Sequence, residues 1–144
     1  MAVDIKTIIT DIKTVILPVV TDIKTFIFDD LSQIDANTDK IFKVLLMKPM
    51  TSEFDNRNLE HQFYNMDMFM FDLEDQNKTL EEQWSECQAL LILFLKELFA
   101  LKVSSQGYKY MLVDKVTIDH GHFQHNNKLV GVRARFQIKV FYGC

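Results

Sequence analysis

The stretch Leu129–Tyr142, LVGVRARFQIKVFY, constrains this chain more than any other. Val130, Val132, Ala134, Phe136, Ile138, Val140 and Tyr142 alternate with Leu129, Gly131, Arg133, Arg135, Gln137, Lys139 and Phe141. One parity is wholly apolar; the other is mostly polar and carries three basic residues. A period of two over this length specifies a β-strand with one face buried and one wet.

Such a strand needs a sheet and a core, and 144 residues suffice for one domain that has both. Hydrophobic residues at 48%, charged residues at 25%, four Gly and two Pro describe a globular chain with few loops. A net charge of −4 argues against a general affinity for nucleic acid. Cys87 and Cys144 are too few for a disulfide framework, so a reducing compartment is the default. Residues 1–20 carry Asp4, Lys6, Asp11 and Lys13, which argues against a secretory signal. Without secretion the Asn77-Lys78-Thr79 sequon carries no weight. The longest uncharged apolar run, Ala89–Leu95, is far below the roughly 20 residues of a membrane span.

Asp-Ile-Lys-Thr occurs three times, starting at Asp4, Asp11 and Asp22. The spacings fit about two and about three helical turns, so the copies share a helix face. Pro18 interrupts, which predicts two short helices or one kinked helix in an arm over residues 1–35. Ile5, Ile8, Ile12 and Ile16 form one stripe; Val20, Ile23, Ile27, Leu31 and Ile34 form the next. These stripes suit the chain's own core, a neighbouring subunit docked by residues 1–17, or a membrane surface. Ile, Val and Thr are mediocre helix formers, so a free arm is expected to order only against a partner.

Residues 36–144 read as the domain proper. After a turn at Asp35–Asp39, Ile41–Met47 is a short apolar strand, Pro49–Asn58 a loop, and Gln62–Leu73 a long strand. Met66, Met68 and Met70 share one side of it, and Phe69 and Phe71 the other, so both faces need cover. The methionines suit packing better than soft-metal binding. Thr79 with Glu82 makes a capping box for a helix over residues 79–102. Its stripe is Leu80, Trp84, Cys87, Leu91, Phe94, Leu98 and Leu101, which makes Cys87 inert packing. Ile92, Leu93 and Phe99 lie off that stripe beside Lys96 and need separate cover. Tyr108–Ile118 and the terminal strand form a hairpin. A three-residue turn pairs Val116 with Phe136, Ile118 with Ala134 and Leu112 with Val140, and sets Asp119 opposite Arg133 and Thr117 opposite Arg135. The predicted class is α+β, ordered α-β-β-α-β-β: a four-stranded antiparallel sheet against a long helix, with an N-terminal helical arm.

No phosphate loop, HExxH, CxxC pair or nucleophile elbow is present, and no carboxylate pair stands out. The chain is therefore expected to be no enzyme, with no catalytic residue, cofactor or metal. His120, His122 and His125 invite zinc, but no further ligand is clustered with them.

The element order over about residues 19–142, ending VGVRARFQIKVFY, resembles the tail-terminator and tail-completion proteins in the neck of tailed bacteriophages. The resemblance implies a virion protein, assembled in the host cytoplasm, that forms a homo-oligomeric ring. Such a ring joins portal to tail, touches other neck or tail proteins, and lets DNA pass without specific binding. Two charged stretches suit head-to-tail closure if they fall on opposite flanks. Residues 53–86 hold ten Asp or Glu against Arg57 and Lys78; residues 108–144 hold six basic residues against Asp114 and Asp119. Acidic residues facing the hole would keep DNA from sticking. The expected subunit interface comprises Ile5, Ile8, Ile12, Ile16, Ile92, Leu93 and Phe99, with Arg133, Arg135 and Lys139. The alternative is a cytosolic, non-enzymatic module binding a peptide or small ligand between the sheet and Leu93/Phe99.

Overall fold

From His61 with Phe141 to Leu73 with Leu129, a continuous antiparallel ladder joins two long strands at the centre of the structure. The computed structural model describes residues 4–28, 42–55, 58–105, 107–124 and 128–141. In chain order, α1 (Ile5–Asp11) runs into a π-helical turn (Ile12–Ile16), followed by β1 (Thr25–Phe28), β2 (Val44–Met47), β3 (Thr51–Asp55) and β4 (Asn58–Leu73). Then come α2 (Leu80–Ala100), β5 (Lys102–Ser104), β6 (Gly107–Tyr108), β7 (Tyr110–Gln124) and β8 (Lys128–Phe141).

Among the described residues the sheet has six strands, not the expected four. Its order is β1-β2-β4-β8-β7, with β3 beside the first half of β4; β5 and β6 pair separately. All pairings are antiparallel except β1 with β2. The even residues of β4 and β8 (Met66, Met68, Met70, Val132, Ala134, Ile138, Val140) face one core, which both helices cover. The three methionines are thus packing residues, 0–2% exposed. On the other face, Leu46, Phe69, Phe71 and Leu129 form a smaller cluster with Ile27 and Phe42. Both sides of β4 are apolar because both are covered.

Among the described residues of the arm, helix is confined to Ile5–Ile16. Asp4 caps α1 by accepting from the Thr7 amide at 2.8 Å. The ladder widens where the Leu17 N–H reaches the Ile12 carbonyl, one residue before Pro18, which has no N–H to continue it. Thr25–Phe28, expected on a second helix, is a strand instead. Ile23 and Ile27 do stand four apart, but Thr-Phe-Ile-Phe is β-branched and aromatic, and both of its faces find apolar neighbours. Leu31 and Ile34, the Asp35–Asp39 turn, and Asn126–Asn127 with Tyr142 lie outside the described residues. Ile8, Ile12 and Ile16 enter the same core as α2 and β8, at 0–1% exposure. The arm is therefore seated on its own chain. Asp11 fixes the seat, accepting from the Tyr110 hydroxyl and the Lys109 ammonium, each at 2.6 Å.

Part of the expected loop at residues 49–58 is β3, whose Thr51 hydroxyl accepts from the Asn65 amide at 2.9 Å. Thr79 caps α2 through the Glu82 N–H, as the capping box predicts. The terminal hairpin has the predicted register near its turn: Ile118 faces Ala134, Asp119 faces Arg133, and Gln124 with Lys128 leaves three residues between them. Beyond Thr117 the register slips, so Leu112 faces Ile138 and Tyr110 takes Val140. The slip is a bulge at residues 114–116, where Asp114 adopts φ 66°. Aspartate tolerates that conformation better than most residues. Two extra residues on one strand keep its faces in phase, so the apolar pattern of β7 does not reveal them.

Gly131 sits where β8 passes Phe71 on β4, and a Cβ there would fall 2.1 Å from the Met70 carbonyl oxygen. The contact is backbone, so the strands themselves must part. Gly131→Ala is expected to lower stability by about 1–3 kcal/mol or more in urea unfolding.

The Tyr110 phenol is raised far above its usual value, first by burial and then by its hydrogen bond to Asp11. The folded chain keeps a proton that an unfolded tyrosine releases near pH 10, so this stabilisation is complete below about pH 10 and falls as pH rises further. Urea unfolding at pH 9, 10 and 11 is expected to show that decline, and Tyr110→Phe is expected to flatten the part above pH 10.

Candidate functional site

α2 is held to the sheet unequally along its length. Near its start, the Trp84 indole N–H donates to the Gly121 carbonyl at 3.2 Å, and His120 hydrogen-bonds Gln88 while tilting against Trp84. Gln83, buried within the helix's core stripe, donates to the Leu73 carbonyl at 2.8 Å and accepts from the Asp75 amide. These bonds fix the β4–α2 connection. Toward the helix end the fit against β7 loosens. Val116 and Ile118 are only half-buried and Leu112 is 39% exposed.

The result is a groove of about 630 Å³. Ile92, Leu95 and Phe99 on α2 face Val116 and Ile118 on β7 across it, while the exposed Lys96, Lys102 and Tyr108 border it. Phe99 stands edge-on to Phe136, with centroids 6.0 Å apart, and the Lys102 ammonium lies 5.2 Å over the Tyr108 ring. Such a groove can shelter apolar groups and attract negative charge.

The expected interface residues do not form one surface. Ile8, Ile12 and Ile16 are in the core, and only Ile5 of that ridge is appreciably exposed, at 38%. Ile92 and Phe99 share the groove, one turn to either side of Lys96. Leu93, 45% exposed, lies on another flank of α2 near Ala89, Lys43 and Glu86, so the site expected between the sheet and a joint Leu93/Phe99 patch includes Phe99 alone. Arg133 and Arg135 are on the far face of the sheet. Arg133 donates twice to Asp67, at 2.9 and 2.7 Å, and lies over Phe69; Arg135 pairs with Asp119 at 2.7 Å. Lys139 is half-buried on that face, opposite Phe63 and Met111.

The acidic and basic stretches also fail to occupy opposite flanks, because β4 and β8 are neighbours and their charges meet directly. At the margins, Glu53 is exposed on β3, while β7 exposes Asp114 and Lys115 and lies near Lys96 and Lys102. The signal for the groove was present in the sequence as Ile92 and Phe99 on the off side of the helix flanking Lys96. What was missing was the opposite wall, since Val116 and Ile118 read as ordinary core positions.

His120 is engaged by Gln88, whereas the His122 side chain and His125 lie outside the described residues. Among the described residues no cluster of three metal-ligating side chains occurs, and no helix is long and apolar enough to cross a membrane. The fold and groove define a mixed α/β domain with both helices on one face of a mostly antiparallel sheet. No protein-family model matches the chain. No curated protein matches it either.

Cys87 is fully buried, and burial foremost, with the Asp72 carboxylate next, pushes its thiol up to about 11. In a Cys144→Ser background, Cys87 is therefore expected to resist an aromatic disulfide reagent at pH 8 and to react promptly in urea. Fast labelling of the folded protein contradicts this placement.

Proposed function

We propose that this chain is a structural virion protein: a subunit of a homo-oligomeric ring in the neck or tail of a tailed phage, joining portal to tail and allowing DNA to pass. The resemblance now rests on the long helix and the terminal hairpin, since residues 25–28 and 51–55 are strands, and one further observation supports the reading. The sheet's two sides are chemically unlike: one ends in β1 and in β3, where Glu53 and Phe54 are exposed, and the other in β7 beside the lysine-bordered groove. Unlike margins suit a heterologous contact, which generates a ring when its rotation closes. A net charge of −4 suits a channel that DNA crosses without being held. Other neck or tail proteins are its further partners, the virion its location, and host cytoplasm its place of assembly; the role needs no catalysis and no cofactor.

The groove also favours a second reading, a cytosolic non-enzymatic module that takes an apolar peptide or small ligand against Phe99. Light scattering after size exclusion, with negative-stain imaging, separates the two. The ring reading expects a high-order assembly with a central opening and no retardation of duplex DNA at low salt. A persistent monomer, or tight salt-sensitive DNA binding, counts against it.

A further inference from the structure

The groove between α2 and β7 is built differently at its two ends. One helical turn before Ile92, the Gln88–His120 bond bridges helix and strand, with the Trp84–Gly121 bond beyond it. From that bridge Ile92, Leu95 and Phe99 continue along α2 against Ile118 and Val116 of β7. Past the end of α2 stand Lys102 and Tyr108, on the paired strands β5 and β6, and Lys96 lies exposed on the rim between Ile92 and Phe99. The trough is thus apolar along its length and cationic at one end and on its rim.

Its charge is unbalanced. No described Asp or Glu lines the groove, and among the described residues neither Lys96 nor Lys102 forms an ion pair. The ring of Tyr108 holds the Lys102 ammonium at 5.2 Å, which leaves the phenol hydroxyl beside it free to donate to an anion. A volume of about 630 Å³ is that of a small-molecule site. Among the described lining side chains only the Tyr108 hydroxyl can accept a hydrogen bond. A peptide laid there would bring N–H groups that these side chains cannot satisfy, whereas an alkyl chain brings none. An acidic head on an aliphatic chain matches both the charge and the lining.

The geometry points to a binding site for a linear aliphatic carboxylate. The chain lies over Phe99 and Ile118 towards Ile92, and the carboxylate accepts from the Lys102 ammonium and the Tyr108 hydroxyl, with Lys96 adding its charge from the rim. This assignment rests on the binding-module reading and names the class of ligand.

The test titrates dodecanoate, below its micellar concentration, into the full-length protein by calorimetry, with dodecyltrimethylammonium as the cationic counterpart. Amide NMR shifts locate the uptake. Dodecanoate is expected to bind once per chain and to move the amides of residues 92–100 and 116–118. A Lys96→Glu, Lys102→Glu double variant is expected to bind dodecanoate about tenfold more weakly, and the cation more tightly, than wild type. Both lysines are exposed and unpaired, so the fold should be spared, and far-UV circular dichroism checks it. Equal affinity for the two amphiphiles overturns the assignment, as does a double variant that binds dodecanoate like wild type, because apolar contact alone would then explain uptake. Shift changes confined to other parts of the chain overturn it too. A monomer that takes up no dodecanoate overturns the ligand class and leaves the module reading standing. A high-order assembly that takes up none overturns both.

Discussion

The backbone ladder between β4 and β8 is the constraint on which the rest of the structure depends. Both strands are interior, so each must satisfy hydrogen bonds on both sides and cover apolar residues on the helix-bearing face. Their approach at Gly131 is so close that a single methyl group has no room. Once this pair is set, its even-numbered residues create the surface on which α1 and α2 lie, and its outer sides determine where β2, β3 and β7 can attach.

Much of this was legible in sequence because it rests on periodicity. The alternation in β8 fixed both its extent and which residues face the core. The stripe from Trp84 to Leu98 located α2, and apolar matching around Ile118 and Ala134 set the hairpin register near its turn. Other features leave periodicity unchanged. A bulge of two extra residues at Asp114 preserves the alternation while displacing the register. Short strands fared worst: β1 has only four residues, and its Ile27 fitted a helical stripe equally well. β3 hid behind Pro49 and a run of polar residues whose pairing partner is supplied by tertiary structure. The groove depends on how far the end of α2 stands from β7, a distance that no pattern in either segment encodes.

Charge illustrates how linear and spatial distributions differ. An acidic stretch and a basic one suggested a polarised domain, yet strand pairing sets Arg133 against Asp67. Across the same face a chain of side-chain bonds runs from Thr51 through Asn65 to Gln137. This part of the face is thereby charge-balanced, while Phe69 and Phe71 farther along it are covered. What distinguishes the two margins is a handful of side chains, and it is there that the proposed assembly takes its polarity.

The seat of the N-terminal helix has a consequence for biosynthesis. Residues 8–16 are translated before the side chains that receive them, from Leu91 through Tyr110 to Val140. The nascent arm must wait, its isoleucines uncovered, until the strand that holds Val140 has emerged. Contacts of such sequence separation close slowly. Until then the arm's apolar side chains are exposed to association with other chains.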